Sequence, residues 1–105
     1  MSTKNKSETR KFLEKLRGGT PLTFGRLIES LRLCDEIPQT ELAQKLNISK
    51  TQLCDIEKGR KLVSAERAAE FAKVMGYSVE QFVATALEDQ LRQAGLKFTV
   101  DLKAP

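Results

Sequence analysis

A chain of 105 residues holds one domain with its core and is too short for two ordinary ones, which excludes a separate ligand-sensing module beside that core. Hydrophobic residues make up 40% of it in runs of only a few, and the start is polar, so neither a membrane span nor a signal peptide is predicted and a cytoplasmic protein is expected. The net charge of +4 sits in residues 1–20, where six Lys/Arg face two Asp/Glu; it is weak evidence for a nucleic-acid partner, because that segment also reads as a solvated tail.

Residues 1–6 read as disordered, and a short amphipathic helix is predicted from Ser7 to Arg17, with Phe12, Leu13 and Leu16 on one face and Gly18-Gly19 ending it. Thr20 then offers an N-cap, and Pro21 suits the first position of the helix behind it. Phe24, Leu27, Ile28 and Leu31 follow at the i, i+3, i+4, i+7 spacing of a core-facing stripe, which should run out between Leu33 and Asp35. Pro38 blocks continuation and fits the first turn of a helix over 38–46, whose apolar face is Leu42, Ala43 and Leu46. Asn47 stands at the sharp turn that follows, and Asn tolerates the left-handed conformation such a turn requires.

Start signals stack at Ser49. Ser49 and Gln52 have capping-box spacing, Ile48 and Leu53 occupy hydrophobic-staple positions, and Gly59 ends the helix. Two short helices with a tight turn between them, the second presenting polar side chains outward, form a helix-turn-helix pattern. Ser64 caps a fourth helix with the stripe Ala68, Phe71, Ala72 and Met75, stopped at Gly76. Ser78 with Gln81, and Tyr77 with Phe82, repeat box and staple for a fifth, lined by Val79, Phe82, Val83, Ala86, Leu87 and Leu91 and closed by Gly95.

The period then changes. Leu96, Phe98, Val100 and Leu102 alternate with Lys97, Thr99, Asp101 and Lys103, the pattern of a half-buried strand. No second strand is evident, and a lone strand leaves its backbone groups unpaired. Its own copy in a two-fold homodimer is the simplest partner; a frayed tail is the alternative.

Cys34 and Cys54 are the only cysteines and there is no His, so these residues supply no structural zinc site, metal centre or usual general base. No nucleophile has a catalytic setting, so neither an enzyme nor a cofactor is predicted. The cysteines read as reduced thiols, with a redox switch at Cys54 as the alternative.

Gln39, Leu42, Ala43, Ser49, Ile56, Glu57 and Gly59, in the arrangement Gln-x-x-Leu-Ala … Ile-Ser … Ile-Glu-x-Gly, resemble the lambda-repressor-like (XRE/Cro-CI type) DNA-binding domains over about residues 22–82. The resemblance implies an all-α, five-helix domain, to which the alternating tail adds the expectation of a C-terminal β-strand pairing across a dimer. Taken with the charge and period of the flanking segments, the resemblance predicts a basic extension over 1–19, a DNA-binding domain over 20–94 with its helix-turn-helix at 38–59, and a dimerisation strand of Leu96, Phe98, Val100 and Leu102 within 95–105. It also implies a structural ion pair between Arg32 and Glu57. Two positions depart from the family pattern: Pro38 replaces the usual side-chain cap of helix 2, and Val63 replaces a frequent Pro before helix 4.

By the same resemblance Lys50, Thr51, Gln52 and Asp55 read bases. The chemistry suits each in part: Lys donates to guanine, Thr meets a thymine methyl, Gln pairs with adenine, and Asp accepts from cytosine. Gln52 has a rival role as capping partner of Ser49, and Asp55 has one as a solvated residue or a filter against wrong sequences. Gln39, Lys58, Arg60 and Lys61 fall where phosphates are held. The implied partners are double-stranded DNA with a palindromic operator, a second copy of the chain and, if the protein is similar to HigA- or HipB-type antitoxins, a cognate toxin. The basic extension would then contact either toxin or DNA. A phage-type or stand-alone repressor, and a protein-interaction module that does not bind DNA, are the other readings.

Overall fold

The computed structural model describes residues 22–102, which form five α-helices: α1 (Phe24–Cys34), α2 (Gln39–Lys45), α3 (Lys50–Glu57), α4 (Ala65–Met75) and α5 (Val79–Gln93). The helix predicted over Ser7–Arg17 lies outside the described residues. Four helices start on a hydroxyl, with Thr23, Ser49, Ser64 and Ser78 each accepting the backbone N–H three residues on. Pro38 precedes α2 without a side-chain cap, as its chemistry requires. The cap of α1 is a correction: Thr23 performs it, Leu22 and Thr23 are non-helical, and the expected cap at Thr20 and first position at Pro21 lie outside the described residues. A remote contact favours this start, because Asp89 on α5 accepts the Phe24 N–H at 2.8 Å.

One device ends the first three helices. The chain turns through a residue of positive φ, Glu36, Asn47 or Gly59, and the next residue's N–H returns to a carbonyl of the last turn. These bonds run from Ile37 to Arg32, Ile48 to Ala43 and Arg60 to Asp55, at 3.0, 3.0 and 2.8 Å. Asn47 behaves as its residue type suggests; Glu36 does not, since a glutamate rarely takes φ 57°.

The core is one cluster. Leu27, Ile28, Leu31, Leu42, Leu53, Ala68 and Ala72 are essentially inaccessible, and Phe24 meets Phe71 and Phe82 at centroid distances of 5.9 and 5.8 Å, the latter edge to face. Tyr77 stacks on Phe82 and donates its hydroxyl to Asp35 at 2.7 Å, joining the end of α1 to the α4–α5 turn. α4 packs along α5, while α3 packs on α1 and α2. Gly25 lets α1 and α3 approach closely: a Cβ there would fall 2.3 Å from the Ile56 carbonyl oxygen.

The C-terminal alternation does not form a strand in the single chain. Residues 96–102 run without a ladder, with Leu96, Phe98 and Leu102 exposed and Val100 half-buried. Four residues of one strand face would share one environment; these do not. With no neighbouring strand among the described residues, the Val100 N–H instead donates to the Glu88 carboxylate on α5 at 2.9 Å, and Glu88 is itself buried.

Candidate nucleic-acid interface

α3 is held by its inner face. Leu53, Ile56 and Glu57 are buried, whereas Lys50, Thr51, Gln52 and Lys58 are exposed and Cys54 and Asp55 are half-exposed. Its first turn is closed by a complete capping box: Ser49 Oγ accepts the Gln52 N–H at 3.0 Å, and Gln52 Oε1 accepts the Ser49 N–H at 2.9 Å. Its last turn is anchored by charge. Glu57 Oε2 accepts from Arg32 Nε at 2.7 Å, while Oε1 accepts from Arg32 Nη2 at 3.1 Å and from Gln39 Nε2 at 2.8 Å. Arg32 Nη1 also donates to the Ile37 carbonyl at 3.0 Å, so one guanidinium ties α1, its closing turn and α3 together.

The structure brings Lys50, Thr51, Gln52 and Asp55 onto a single short helix and sets Lys58, Arg60 and Lys61 in the exposed loop behind it. Gln39 and Asp55 are engaged in ways that went unread in the residue pattern, while Gln52 makes the capping box that its spacing predicts. Gln39 spends one amide N–H on Glu57 and keeps the other. Gln52 has its amide oxygen committed to the capping box, so pairing bidentately with adenine requires opening the box. That costs about 0.5–2 kcal/mol, against about 1–3 kcal/mol gained from a good bidentate pair. Asp55 pairs with Arg60 Nη1 at 3.1 Å. A sequence signal for that pair does exist. Gly59 as the left-handed residue folds the chain so that the third residue from the helix end and the third beyond it become neighbours, and these are Asp55 and Arg60.

Arg67, in the first turn of α4, was not singled out by the pattern. It lines a small concavity together with Gln52 and Lys61, and its guanidinium stands 5.7 Å from the Phe71 ring centroid. Among the described residues no cluster of His, Cys, Asp and Glu could hold a metal ion, and no helix is long and apolar enough to cross a membrane. Cys34 and Cys54 are not joined in a disulfide.

In a comparison with known families, the helix-turn-helix family model matches residues 28–82, more than half of the chain. No curated protein and no solved structure matches it.

Proposed function

The chain belongs to the helix-turn-helix family, which makes it a DNA-binding transcription regulator of XRE type, and from that premise we propose that it is a repressor acting as a homodimer on a palindromic operator. The observation that carries the reading is α3 itself, buried on one face, anchored at both ends and polar on the side left open. In this reading α3 enters the major groove, with Lys50, Thr51 and Asp55 toward base edges. Gln39, Lys58, Arg60 and Lys61 hold the flanking phosphates. Two copies must stand about one DNA turn apart, roughly 34 Å. α5 and residues 96–102 supply the contact between them, where exposed Leu96, Phe98 and Leu102 gain cover and the backbone, released from the Val100–Glu88 bond, gains a ladder. Bound over a promoter in the cytoplasm, the dimer represses by exclusion.

Footprinting and titration on the region upstream of its own gene test this. Two protected half-sites one turn apart are expected, and log K should fall linearly with log salt at about −0.9 per phosphate neutralised. Salt-independent binding, or none, overturns the DNA reading; a single protected half-site overturns the dimer.

A narrower reading makes it an antitoxin that binds its operator and a cognate toxin. Exposed Leu33, Leu62 and Val74 supply apolar surface for a protein partner. Co-purification with the product of an adjacent gene decides between this and a stand-alone repressor.

A further inference from the structure

Between α3 and the start of α4 lies a concavity of about 50 Å³, lined by the polar side chains of Gln52, Lys61 and Arg67 and by apolar Ile56, Leu62 and Val63. Its polar chemistry has one sign. Lys61 and Arg67 can only donate, and no carboxylate lines the site. Gln52 would ordinarily offer both a donor and an acceptor, but its oxygen faces the Ser49 N–H. Because a backbone N–H only donates, the amide must present that oxygen to it. What Gln52 leaves free is its NH2 group. The concavity therefore offers two cations and an amide donor, with no carboxylate to repel an anion.

Its position identifies the anion. Gln52 is on the helix read as lying in the groove, and Lys61 and Arg67 stand to one side of it, where a groove-bound helix is flanked by the sugar–phosphate backbone. The Phe71 ring beside the Arg67 guanidinium favours a defined placement of that charge. We infer that the Gln52–Lys61–Arg67 concavity seats one DNA backbone phosphate, and that Gln52 clamps the backbone instead of reading a base. The inference rests on the DNA-binding reading above and adds Arg67 to the binding surface.

Two substitutions in the full-length protein test it. Gln52→Glu preserves the capping box, since Glu completes it as well as Gln does, but places a carboxylate in the concavity. Arg67→Gln removes one charge from an exposed side chain. Both are compared with wild type by selection from random duplexes, by titration on the selected site and on unrelated DNA across a salt series, and by thermal melting. The expected result is unchanged base preferences and affinity lowered by about the same factor on both DNAs. For Gln52→Glu that factor is about tenfold, and for Arg67→Gln the salt slope becomes shallower by about 0.9. A changed preference at a single base position in Gln52→Glu overturns the inference in favour of base reading. Unchanged affinity and slope in both variants overturn it by placing the concavity off the DNA. If wild type selects no sequence and binds no duplex, the parent reading falls and takes this one with it.

Discussion

Two carboxylates on α3, Asp55 and Glu57, are two residues apart and live in opposite regions of the molecule. A helix turns by roughly 200° over that step, so one faces the core when the other faces out. Glu57 is 5% exposed and takes three hydrogen bonds from two side chains. Asp55 is half-exposed and has one ion-pair partner, Arg60, whose side chain is 64% exposed. The chemistry is the same; burial and saturation separate the roles. A buried carboxylate with both oxygens engaged locks α1, α2 and α3 into register. An exposed one held by a single solvated arginine can exchange that partner for a base or surrender it to a phosphate.

Removing Glu57 is the harshest test of this contrast. Glu57→Ala leaves Arg32, 8% exposed, as an uncompensated buried cation, and strands the Gln39 amide. A loss of about 3–5 kcal/mol is expected, read by urea unfolding, with a melting temperature lower by more than about 10 °C. Replacing Arg32 and Glu57 together by apolar residues of similar volume should recover much of it, because the charge left behind is then gone as well. A single-variant loss under about 1 kcal/mol would erase the distinction between the two acids.

Asp55→Asn probes the other side. Exposed ion pairs contribute about 0–1 kcal/mol, so the melting temperature should move by only a few degrees. DNA binding should move more. Loss of one negative charge beside the phosphates, and release of Arg60, should tighten binding to unrelated duplexes about fivefold, since unit charges a few ångströms apart in water interact by about 1 kcal/mol. Fluorescence anisotropy with unrelated and operator DNA measures both arms. A destabilisation approaching that of Glu57→Ala would make the Asp55–Arg60 pair architectural too.

The same contrast separates what the sequence discloses from what it does not. Elements governed by local chemistry are legible: the hydroxyl caps at Ser49, Ser64 and Ser78, the stripe from Phe24 to Leu31, and the left-handed Asn47 all follow from residues within one or two turns. Thr23 takes the place of Thr20 as the cap of α1, and a bond to Asp89, 65 residues away, accompanies it. Glu36 adopts a conformation its type disfavours, in the turn that returns the Ile37 N–H to Arg32 just before Pro38. In the candidate site, the residue types along α3, the Ser49–Gln52 capping box and, through the family resemblance, the Arg32–Glu57 pair are legible, whereas the Gln39–Glu57 bond and the place of Arg67 are not. Gln39 is aimed inward by a buried acid from another helix, and Arg67 enters only because α4 starts beside α3. The alternation over 96–102 shows a periodicity, while a strand needs a neighbour that the described residues do not hold.

Asp89 lies between the two extremes and should show the smallest effect. It accepts the Phe24 N–H and pairs with Arg92, yet burial pushes its carboxyl above the ordinary value of 3.8; those two partners pull it down, and Glu88 adds an upward push. A raised value in the folded state means that the native protein holds this proton more tightly than the unfolded chain does. The stability linked to it is therefore fully present below 3.8 and is lost as pH rises through the folded value. Asp89→Asn keeps an oxygen for the Phe24 N–H and cannot titrate. Whatever its constant offset, its stability relative to wild type should improve as pH rises from about 3.5 to about 6, by a margin well below that of Glu57→Ala. Urea unfolding of both proteins across this range measures the difference. A variant that instead loses ground with rising pH would show that Arg92 and the Phe24 N–H outweigh burial, placing Asp89 with Glu57 among the carboxylates whose charge the fold rewards.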